Sequence, residues 1–340
     1  MSVFQEQVQN YKWTVASHSV GFVGEQDFQW VAEDVQDVAA GQVRIRNLYL
    51  SLDPTNRVWM GEKDTYLPAL KIGEVMRGLA IGVVEESNHP TLRAGDHVYG
   101  LLGRQKYLVS DGEGLTVLPT IPDLPLTAHF GLLGHIGIAA HYGMLHIGKP
   151  KAGETVVVSA AAGAVGSLAG QIAKIQGCRV IGLAGSDEKC AWLTEELGFD
   201  GAINYKTQSV SEALKAHCPQ GIDVYFDNVG GKTLDAVLEI MNDYGRIVAC
   251  GMISAYNETD PVFTSRHMVH IVTRRLLMQG FVCLDHPEYI PDACRDLLTW
   301  YAEGKLKYRV EVVEGLDKAA TALSKLFTGS NQGKLIVQVS

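Results

Sequence analysis

The residues that most clearly indicate chemistry form a small-residue turn near the middle of the chain. The apolar run TVVVS (155–159) leads into this turn, and a helical pattern follows it. The turn has the G-x-G-x-x-G spacing with Ala161 in the first glycine position, and its other members are Ala162, Gly163, Ala164, Val165 and Gly166. Gly163 would let backbone amides approach a pyrophosphate, and Gly166 would let the helix pack tightly on the strand. A G-x-x-G alone is also typical of a simple tight turn, but strand, turn, helix and next strand follow here in order. The segment therefore predicts a dinucleotide site at a helix N-terminus.

The residues after the next strand indicate which dinucleotide fits. An NAD site places an acidic side chain at the end of the second strand, about 20 residues after the glycines, where it holds the ribose hydroxyls. This chain has Ala184 and Gly185 at that point, followed by Ser186 and Lys189, which can donate to a 2′-phosphate. Asp187 is the one opposing feature, and we interpret it as a cap of the following helix. The sequence therefore predicts NADP(H).

The sequence does not predict a metal. Zinc sites need three or four protein ligands, mostly thiolate or imidazole, and residues 1–177 contain no cysteine. The six cysteines form no CxxC pair, and they are Cys178, Cys190, Cys218, Cys250, Cys283 and Cys294. A disulfide framework is not expected in a chain of this kind. Several histidines lie near one another in the sequence without the spacing of a ligand set: His129, His135, His141, His146, His267 and His270. We interpret them as packed or surface side chains.

The elements that must position these residues fall into two groups. Residues 1–127 carry short β-type runs punctuated by Gly, Pro, Asn and Asp, at 43–52, 79–86, 97–102 and 115–119. Residues 128–303 alternate six apolar runs with helical stretches, and the runs are 155–160, 179–184, 201–205, 222–227, 246–251 and 276–282. This alternation predicts an α/β fold with a doubly wound, parallel, six-stranded Rossmann sheet. The tail, 304–340, returns to β, helix, β, and we expect it to rejoin 1–127 as one β-rich domain.

Charge and hydropathy exclude some partners. The net charge is −9 and no run of Lys or Arg occurs, which argues against nucleic acid as a partner. No signal-type segment and no apolar run of membrane length is present in the sequence. We therefore expect a cytoplasmic protein with no membrane partner.

The chain resembles the medium-chain dehydrogenase/reductase superfamily, with GEVMRG (73–78) where many zinc-binding members have Gly-His-Glu. More narrowly, it resembles the prostaglandin reductase / leukotriene hydroxydehydrogenase family, which includes plant alkenal double-bond reductases and bacterial curcumin-type reductases. The motifs span nearly the whole chain and include LSLDP (50–54), AAAGAVGS (160–167), DVYFDNVGG (223–231), GRIVACGMISAYN (245–257) and NQGK (331–334). This resemblance implies a GroES-like β-rich domain, a homodimer, no zinc, and NADPH-dependent reduction of the C=C bond of α,β-unsaturated aldehydes and ketones.

The resemblance also implies roles for single residues. Lys189 and Ser186 should hold the 2′-phosphate, and Tyr205 should lie beside the adenosine phosphate. The nicotinamide half should be lined by Asn228, Cys250, Gly251, Ile253, Ser254, Phe281, Val282, Cys283 and Asn331. Tyr256 should donate a hydrogen bond to the substrate carbonyl, and Tyr66 is a candidate for the substrate pocket.

Two segments depart from the family pattern and leave the substrate preference open. Thr55-Asn56-Arg57 stands where the family often has Tyr-Met-Arg, and Ala139 lacks a threonine hydroxyl that is usual there.

The implied reaction adds hydride to the β-carbon and develops negative charge on the carbonyl oxygen as an enolate. A preorganised donor at that oxygen lowers the barrier by roughly 3 kcal/mol, and Tyr256 is the candidate. No side chain is singled out as the proton donor to the α-carbon. Three alternatives stay open: NADPH:quinone reduction, oxidation of an allylic or benzylic alcohol, and a cofactor-binding protein without catalysis.

Overall fold

The structure of the protein is a computed structural model, which describes residues 8–259 and 265–339. Its first strands, in chain order, are β1 (Gln9–Val15), β2 (Phe28–Asp34), β3 (Val43–Ser51), β4 (Ala80–Ser87), β5 (His97–Gly100), β6 (Tyr107–Ser110) and β7 (Thr116–Val117). The remaining strands are β8 (Thr155–Val158), β9 (Arg179–Ala184), β10 (Gly201–Asn204), β11 (Ile222–Asp227), β12 (Met241–Ala249), β13 (Leu277–Gly280), β14 (Val310–Glu314) and β15 (Lys334–Gln338).

The α-helices are α1 (Thr55–Trp59), α2 (Ala128–Gly131), α3 (His135–Tyr142), α4 (Ala164–Ile175), α5 (Asp187–Ala191), α6 (Val210–His217), α7 (Gly231–Leu238), α8 (Val269–Thr273), α9 (Ile290–Ala302), α10 (Ala319–Ala322) and α11 (Ser324–Thr328). Two of them, α3 and α5, continue directly into wider π-helical turns at Gly143–Gly148 and Trp192–Glu196. None of the helices within the described ranges has both the length and the apolar character needed to cross a bilayer.

Six parallel strands form the sheet that carries the dinucleotide turn. Their order is β10-β9-β8-β11-β12-β13, and every printed pair between them is parallel. The central strands β8 and β11 are almost continuously buried, as strands covered by helices on both faces must be. The predicted doubly wound Rossmann sheet is thus confirmed. Its order reverses between β8 and β11, the point where ligands of such sheets bind.

The β-rich sheet has seven strands in the order β14-β15-β3-β4-β5-β7, with β6 also paired to β3. The long strand β3 pairs antiparallel with β4, β6 and β15. Alternate residues of β3, such as Val43 and Ile45, are fully buried in the core of this sheet. The pair β1–β2 forms a separate two-stranded sheet.

The chain divides into two compact units. The first comprises Met1–Thr127, Glu311–Ser330 and Leu335–Ser340, and the second comprises Ala128–Val310 and Asn331–Lys334. The second unit thus extends past the predicted boundary at 303 and also takes four residues of the tail. Hydrogen bonds explain both differences. The Gln171 side chain bonds the backbone N and O of Lys307, each at 2.8 Å, and Gly333 N donates to Ala162 O at 3.2 Å.

Candidate active site

The dinucleotide turn is built so that only small residues fit. Ala160, two residues after β8, has a left-handed φ of 47°, and its carbonyl oxygen accepts a 2.9 Å bond from Gly163 N. A Cβ at position 166 would lie 2.4 Å from that oxygen, and one at position 163 would lie 3.0 Å from it. Gly163 is the N-cap of the 12-residue helix α4. The turn therefore fits a pyrophosphate: open backbone faces the N-terminus of a full-length helix.

The four residues predicted for the adenosine side lie together at the ends of β9 and β10. Ser186 is the N-cap of α5, and its hydroxyl oxygen accepts from Lys189 N at 3.3 Å. Gly185 faces the Tyr205 phenol so closely that a Cβ there would lie 2.7 Å from its oxygen. Burial raises the pKa of Tyr205, so it remains a neutral hydrogen-bonding group. The turn can therefore present a hydroxyl and a lysine to one phosphate.

Asp187 does not cap the helix, contrary to our interpretation from sequence. The capping residue is Ser186, one position earlier. The Asp187 carboxylate instead accepts a 2.7 Å hydrogen bond from the side-chain amide of Asn204, the last residue of β10. The acid that argued against NADP is thus bound to a neighbouring strand.

A buried aspartate organises the nicotinamide side. Asp227, at the end of β11, is fully buried, and its Oδ1 accepts from Tyr225 Oη at 2.8 Å, Val229 N at 2.9 Å and Gly230 N at 2.8 Å. Ser159 Oγ lies 3.2 Å from the same oxygen. Within the described ranges, Oδ2 has no hydrogen-bond partner. Burial raises the Asp227 pKa, and the hydrogen bonds from its neighbours oppose that shift.

The same aspartate links the loops after β11 and β12. Its backbone carbonyl accepts from Cys250 N at 2.9 Å and from Gly251 N at 3.1 Å. Asn228, the next residue, donates its side-chain amide to Ser159 O at 2.7 Å, and its own carbonyl accepts from Ile253 N at 3.2 Å. These loops lie at the carboxyl ends of adjacent parallel strands, the usual ligand edge of such a sheet.

Two further predicted residues lie on the second of these loops. Ser254 Oγ donates to Val229 O at 2.6 Å. Tyr256 ends the short 3₁₀ turn Ile253–Ala255, and its phenol oxygen accepts a 3.2 Å bond from Met252 N. A donor to the oxygen of a hydroxyl polarises its O–H, which makes the hydroxyl a better donor to a ligand.

The segment after β13, predicted to line the nicotinamide half, belongs to the second unit as well. The Phe281 ring packs 5.6 Å from the Tyr142 ring and against Gly143, where a Cβ would lie 2.9 Å from the ring edge. Burial raises the pKa of Cys283 to about 11 and that of Cys250 to about 12, with the Cys283 charge contributing to the second shift. Val282 is half-buried and immediately precedes the 3₁₀ turn Cys283–Asp285.

Asn331 lies beside the dinucleotide turn, and its side chain bonds a residue of its own loop. It is buried, and its side-chain amide donates to Gly333 O at 3.1 Å. Gly333 in turn forms a parallel bridge with Gly163. The structure therefore brings NQGK next to the glycine turn, and the role of Asn331 at the nicotinamide half stays a prediction.

Tyr66 lies in the other unit, where a segment that departs from the family pattern holds it. It is 49% exposed, and its hydroxyl bonds Thr55 Oγ1 at 2.5 Å and Trp59 Nε1 at 3.1 Å. Asn56 is fully buried and accepts from the buried Arg104 at 3.2 Å. Thr55 thus positions the candidate pocket residue, whereas Asn56 binds a buried arginine in the interior of its unit.

The histidines have packing and hydrogen-bonding partners. His141 Nε2 lies 3.1 Å from an Asp296 oxygen, and His267 Nδ1 lies 3.0 Å from Asp235 O. In residues 8–259 and 265–339, no group of three or more His, Cys, Asp or Glu side chains is arranged to hold a metal ion.

Sequence reasoning assigned no role to Asp227, Asn204 or Met252. Asp227 lies inside DVYFDNVGG (223–231) and Met252 inside GRIVACGMISAYN (245–257), both quoted above, so a signal existed for these two residues. Their partners are distant in sequence or are backbone atoms, so only the fold reveals what they do.

Two family models and several named relatives match this chain. Residues 11–118 match a family model described as the N-terminal domain of oxidoreductase, and residues 164–302 match one described as zinc-binding dehydrogenase. The chain is 40% identical to the NADPH-dependent curcumin reductase of Escherichia coli, covering 99% of each chain. It is 42% identical to prostaglandin reductase 1 of Bos taurus, over 96% of this chain and 98% of the relative.

A plant relative and a solved structure extend the match. The 2-alkenal reductase (NADP(+)-dependent) of Nicotiana tabacum is 40% identical over 98% of this chain and 99% of its own length. The crystal structure of CurA from Vibrio vulnificus in complex with NADPH superposes with a TM-score of 0.93 at 40% identity, over 97% of this chain and 99% of that one. The resemblance inferred from the motifs is confirmed: the chain belongs to the medium-chain dehydrogenase/reductase family, in the branch that contains the curcumin, prostaglandin and 2-alkenal reductases.

Proposed function

We propose that this protein reduces the C=C bond of α,β-unsaturated aldehydes and ketones with NADPH, adding hydride to the β-carbon. The observation that carries the proposal is the Tyr256 phenol, supported by Met252 N on a loop that Asp227 ties to the carboxyl edge of the sheet. Two relatives that are each 40% identical to this chain over nearly its whole length are named NADPH-dependent curcumin reductase and 2-alkenal reductase (NADP(+)-dependent).

The residues present fit NADPH. Gly163 and Gly166 leave room for the pyrophosphate, and Ser186 and Lys189 receive the 2′-phosphate. When bound, NADPH supplies the hydride for the reaction. Asn228 and the Cys250–Tyr256 loop orient the nicotinamide end, because the Asp227 carbonyl and Ser159 fix their backbones.

Tyr256 acts on the charge that develops during the reaction. Hydride addition to the β-carbon moves electrons onto the carbonyl oxygen, and a hydroxyl already aimed at that oxygen stabilises the enolate more than the starting ketone. We assign the later protonation of the α-carbon to solvent.

The cysteines near the nicotinamide side are weak nucleophiles, which suits a site for electrophilic substrates. Thiolates, not thiols, attack enones and enals. With pKa values raised to about 12 and about 11, Cys250 and Cys283 remain protonated at neutral pH. A thiol-reactive compound in this site would therefore meet thiols and few of the more reactive thiolates.

An acceptor screen tests this function. NADPH oxidation is followed with an enone, the corresponding saturated ketone, a quinone, and no acceptor, and an allylic alcohol is offered with NADP⁺. We expect turnover with the enone and formation of the saturated ketone. Turnover only with the quinone would favour the quinone reductase alternative, turnover only with the alcohol would favour the oxidation alternative, and no turnover at all would leave a binding protein.

We also propose that the protein is a cytoplasmic homodimer. The strand β13 ends the sheet order, and an unpaired strand edge is a ready site for pairing with a second copy. Apolar side chains are exposed on and before it, namely Met268, Val269, Val272 and Leu277. All six cysteines are free thiols, as is usual in a reducing compartment.

Light scattering coupled to size exclusion tests the dimer. The native protein should have the mass of two chains, and Leu277→Lys should yield single chains that remain folded by circular dichroism. An exposed leucine elsewhere provides the control, because Leu101→Lys (48% exposed in the native chain) should leave the dimer intact. A native mass of one chain would refute the proposal.

A further inference from the structure

Two acidic residues begin the helix that faces the proposed 2′-phosphate site, and a side-chain amide binds each of them. Asp187 accepts from Asn204 Nδ2 at 2.7 Å, and Glu188 accepts from Gln332 Nε2 at 2.6 Å. Both acids directly follow Ser186, which is proposed to bind the phosphate. Acids at this point of the fold would favour NAD rather than NADP, so their partners bear on cofactor choice.

The orientation of each amide is fixed by its other end. Asn204 Oδ1 accepts from Lys206 N at 3.1 Å, and Gln332 Oε1 accepts from Arg309 Nη1 at 2.6 Å. The NH₂ group of each amide must therefore be the side that faces the carboxylate, since an amide oxygen cannot donate.

The Asn204 contact is the stronger of the two. Asn204 is 6% exposed and pairs in register with Ala184, two residues before Ser186. The bond between Gln332 and Glu188 is exposed, where water competes with it. A buried, doubly anchored amide beside the second strand end therefore controls where the Asp187 carboxylate lies.

We propose that Asn204 is a specificity-determining residue, which selects NADPH over NADH by holding the Asp187 carboxylate on β10. The inference rests on the proposed placement of the 2′-phosphate at Ser186 and Lys189. A carboxylate released toward the ribose would accept a hydrogen bond from the 2′-hydroxyl of NADH and would repel the 2′-phosphate of NADPH. Because the bond from Asn204 Nδ2 holds the Asp187 carboxylate at the end of β10, the carboxylate is not turned toward the ribose hydroxyls.

The experiment measures dissociation constants for NADPH and NADH by fluorescence titration, without any substrate. The proteins compared are the native chain, Asn204→Leu, Asp187→Asn, the double variant, and Lys189→Ala. The ratio of the NADH constant to the NADPH constant is the readout. If Asn204→Leu is poorly folded by circular dichroism, Asn204→Asp serves in its place, because a carboxylate there repels Asp187.

In Asn204→Leu the ratio should fall about tenfold, the size expected when a charged contact beside the phosphate changes, with NADH bound more tightly than by the native chain. In the Asp187→Asn background the same substitution should leave the ratio unchanged. A ratio that does not fall, or that falls equally without the acid, overturns the proposal. Lys189→Ala tests the phosphate placement separately: equal losses for both cofactors would move the phosphate elsewhere, whatever Asn204 does.

Discussion

Replacing Tyr256 by phenylalanine isolates the proposed stabilisation of the enolate. The change keeps the ring on its 3₁₀ turn and deletes only the hydroxyl. The lost interaction is one preorganised donor at an oxygen that gains charge in the transition state, a loss of roughly 3 kcal/mol or about 10²-fold in kcat. KM should change little, because the unreacted carbonyl carries far less charge.

The structure predicts a small side effect on stability. Met252 N loses its acceptor, but Met252 is 41% exposed, so water can replace the bond at a cost of about 1 kcal/mol or less. The NADPH dissociation constant should stay at the native value, since the hydroxyl is assigned to the substrate.

Steady-state NADPH oxidation with an enone and a quinone measures the effect. The loss should be smaller for the quinone, which needs less help at one oxygen. Tyr244→Phe is the matched control, because Tyr244 is 67% exposed and lies toward the start of β12, away from the ligand edge. An undiminished kcat for the enone in Tyr256→Phe, with cofactor affinity also unchanged, would remove Tyr256 from the mechanism and direct attention to Tyr66.

Four further outcomes are expected. Lys189→Ala should weaken NADPH binding about tenfold or more and leave NADH binding nearly unchanged in titrations. Gly166→Ala places a Cβ 2.4 Å from Ala160 O, so thermal unfolding should show a loss of about 1–3 kcal/mol and titrations should show weaker NADPH binding. Dialysis against a strong chelator should leave activity intact, whereas activity restored only by zinc would contradict the metal-free mechanism. Glu154 bonds Arg246 at 2.5 and 3.1 Å, and these bonds outweigh burial and lower its pKa from 4.5. Its stabilisation is thus present above pH 4.5 and lost as the pH falls through the lowered value. In denaturant titrations Glu154→Gln should be less stable by about 1–3 kcal/mol at neutral pH and should lack that acid-dependent loss.

Much of the fold could be predicted because its strands are buried on both faces. The run 222–227 coincides with β11, and 179–184 coincides with β9, since most residues of each run are apolar and all but one residue of each strand is buried. The start of β12 was harder to predict, because the strand begins at Met241 in a polar stretch, MNDY, that has no apolar pattern. Helix α5 changes to a wider π-helical turn at Trp192, and no residue type in this segment indicates that change.

The candidate site divides in a similar way. The role of a glycine can be predicted from sequence because it depends only on the absence of a side chain. At Gly163, Gly166 and Gly185 an added Cβ would lie 3.0 Å or less from a neighbouring atom. Asp187 was misread because its partner, Asn204, lies 17 residues away on the next strand. Local spacing favours a helix cap, and only the parallel register of β9 and β10 brings the two side chains together.

The contacts also separate the residues that support the reaction from those that can tune its substrate. Backbone bonds to Asp227 and Ser159 hold the loops that carry Asn228 and Tyr256, so a substitution in that network disturbs cofactor orientation for every substrate alike. The Tyr66 hydroxyl is held instead by the Thr55 hydroxyl and the Trp59 indole N–H, and position 55 departs from the family pattern. A change at position 55 therefore alters the candidate pocket residue while the Asp227 network stays intact, and we expect substrate preference to vary there without loss of the chemistry.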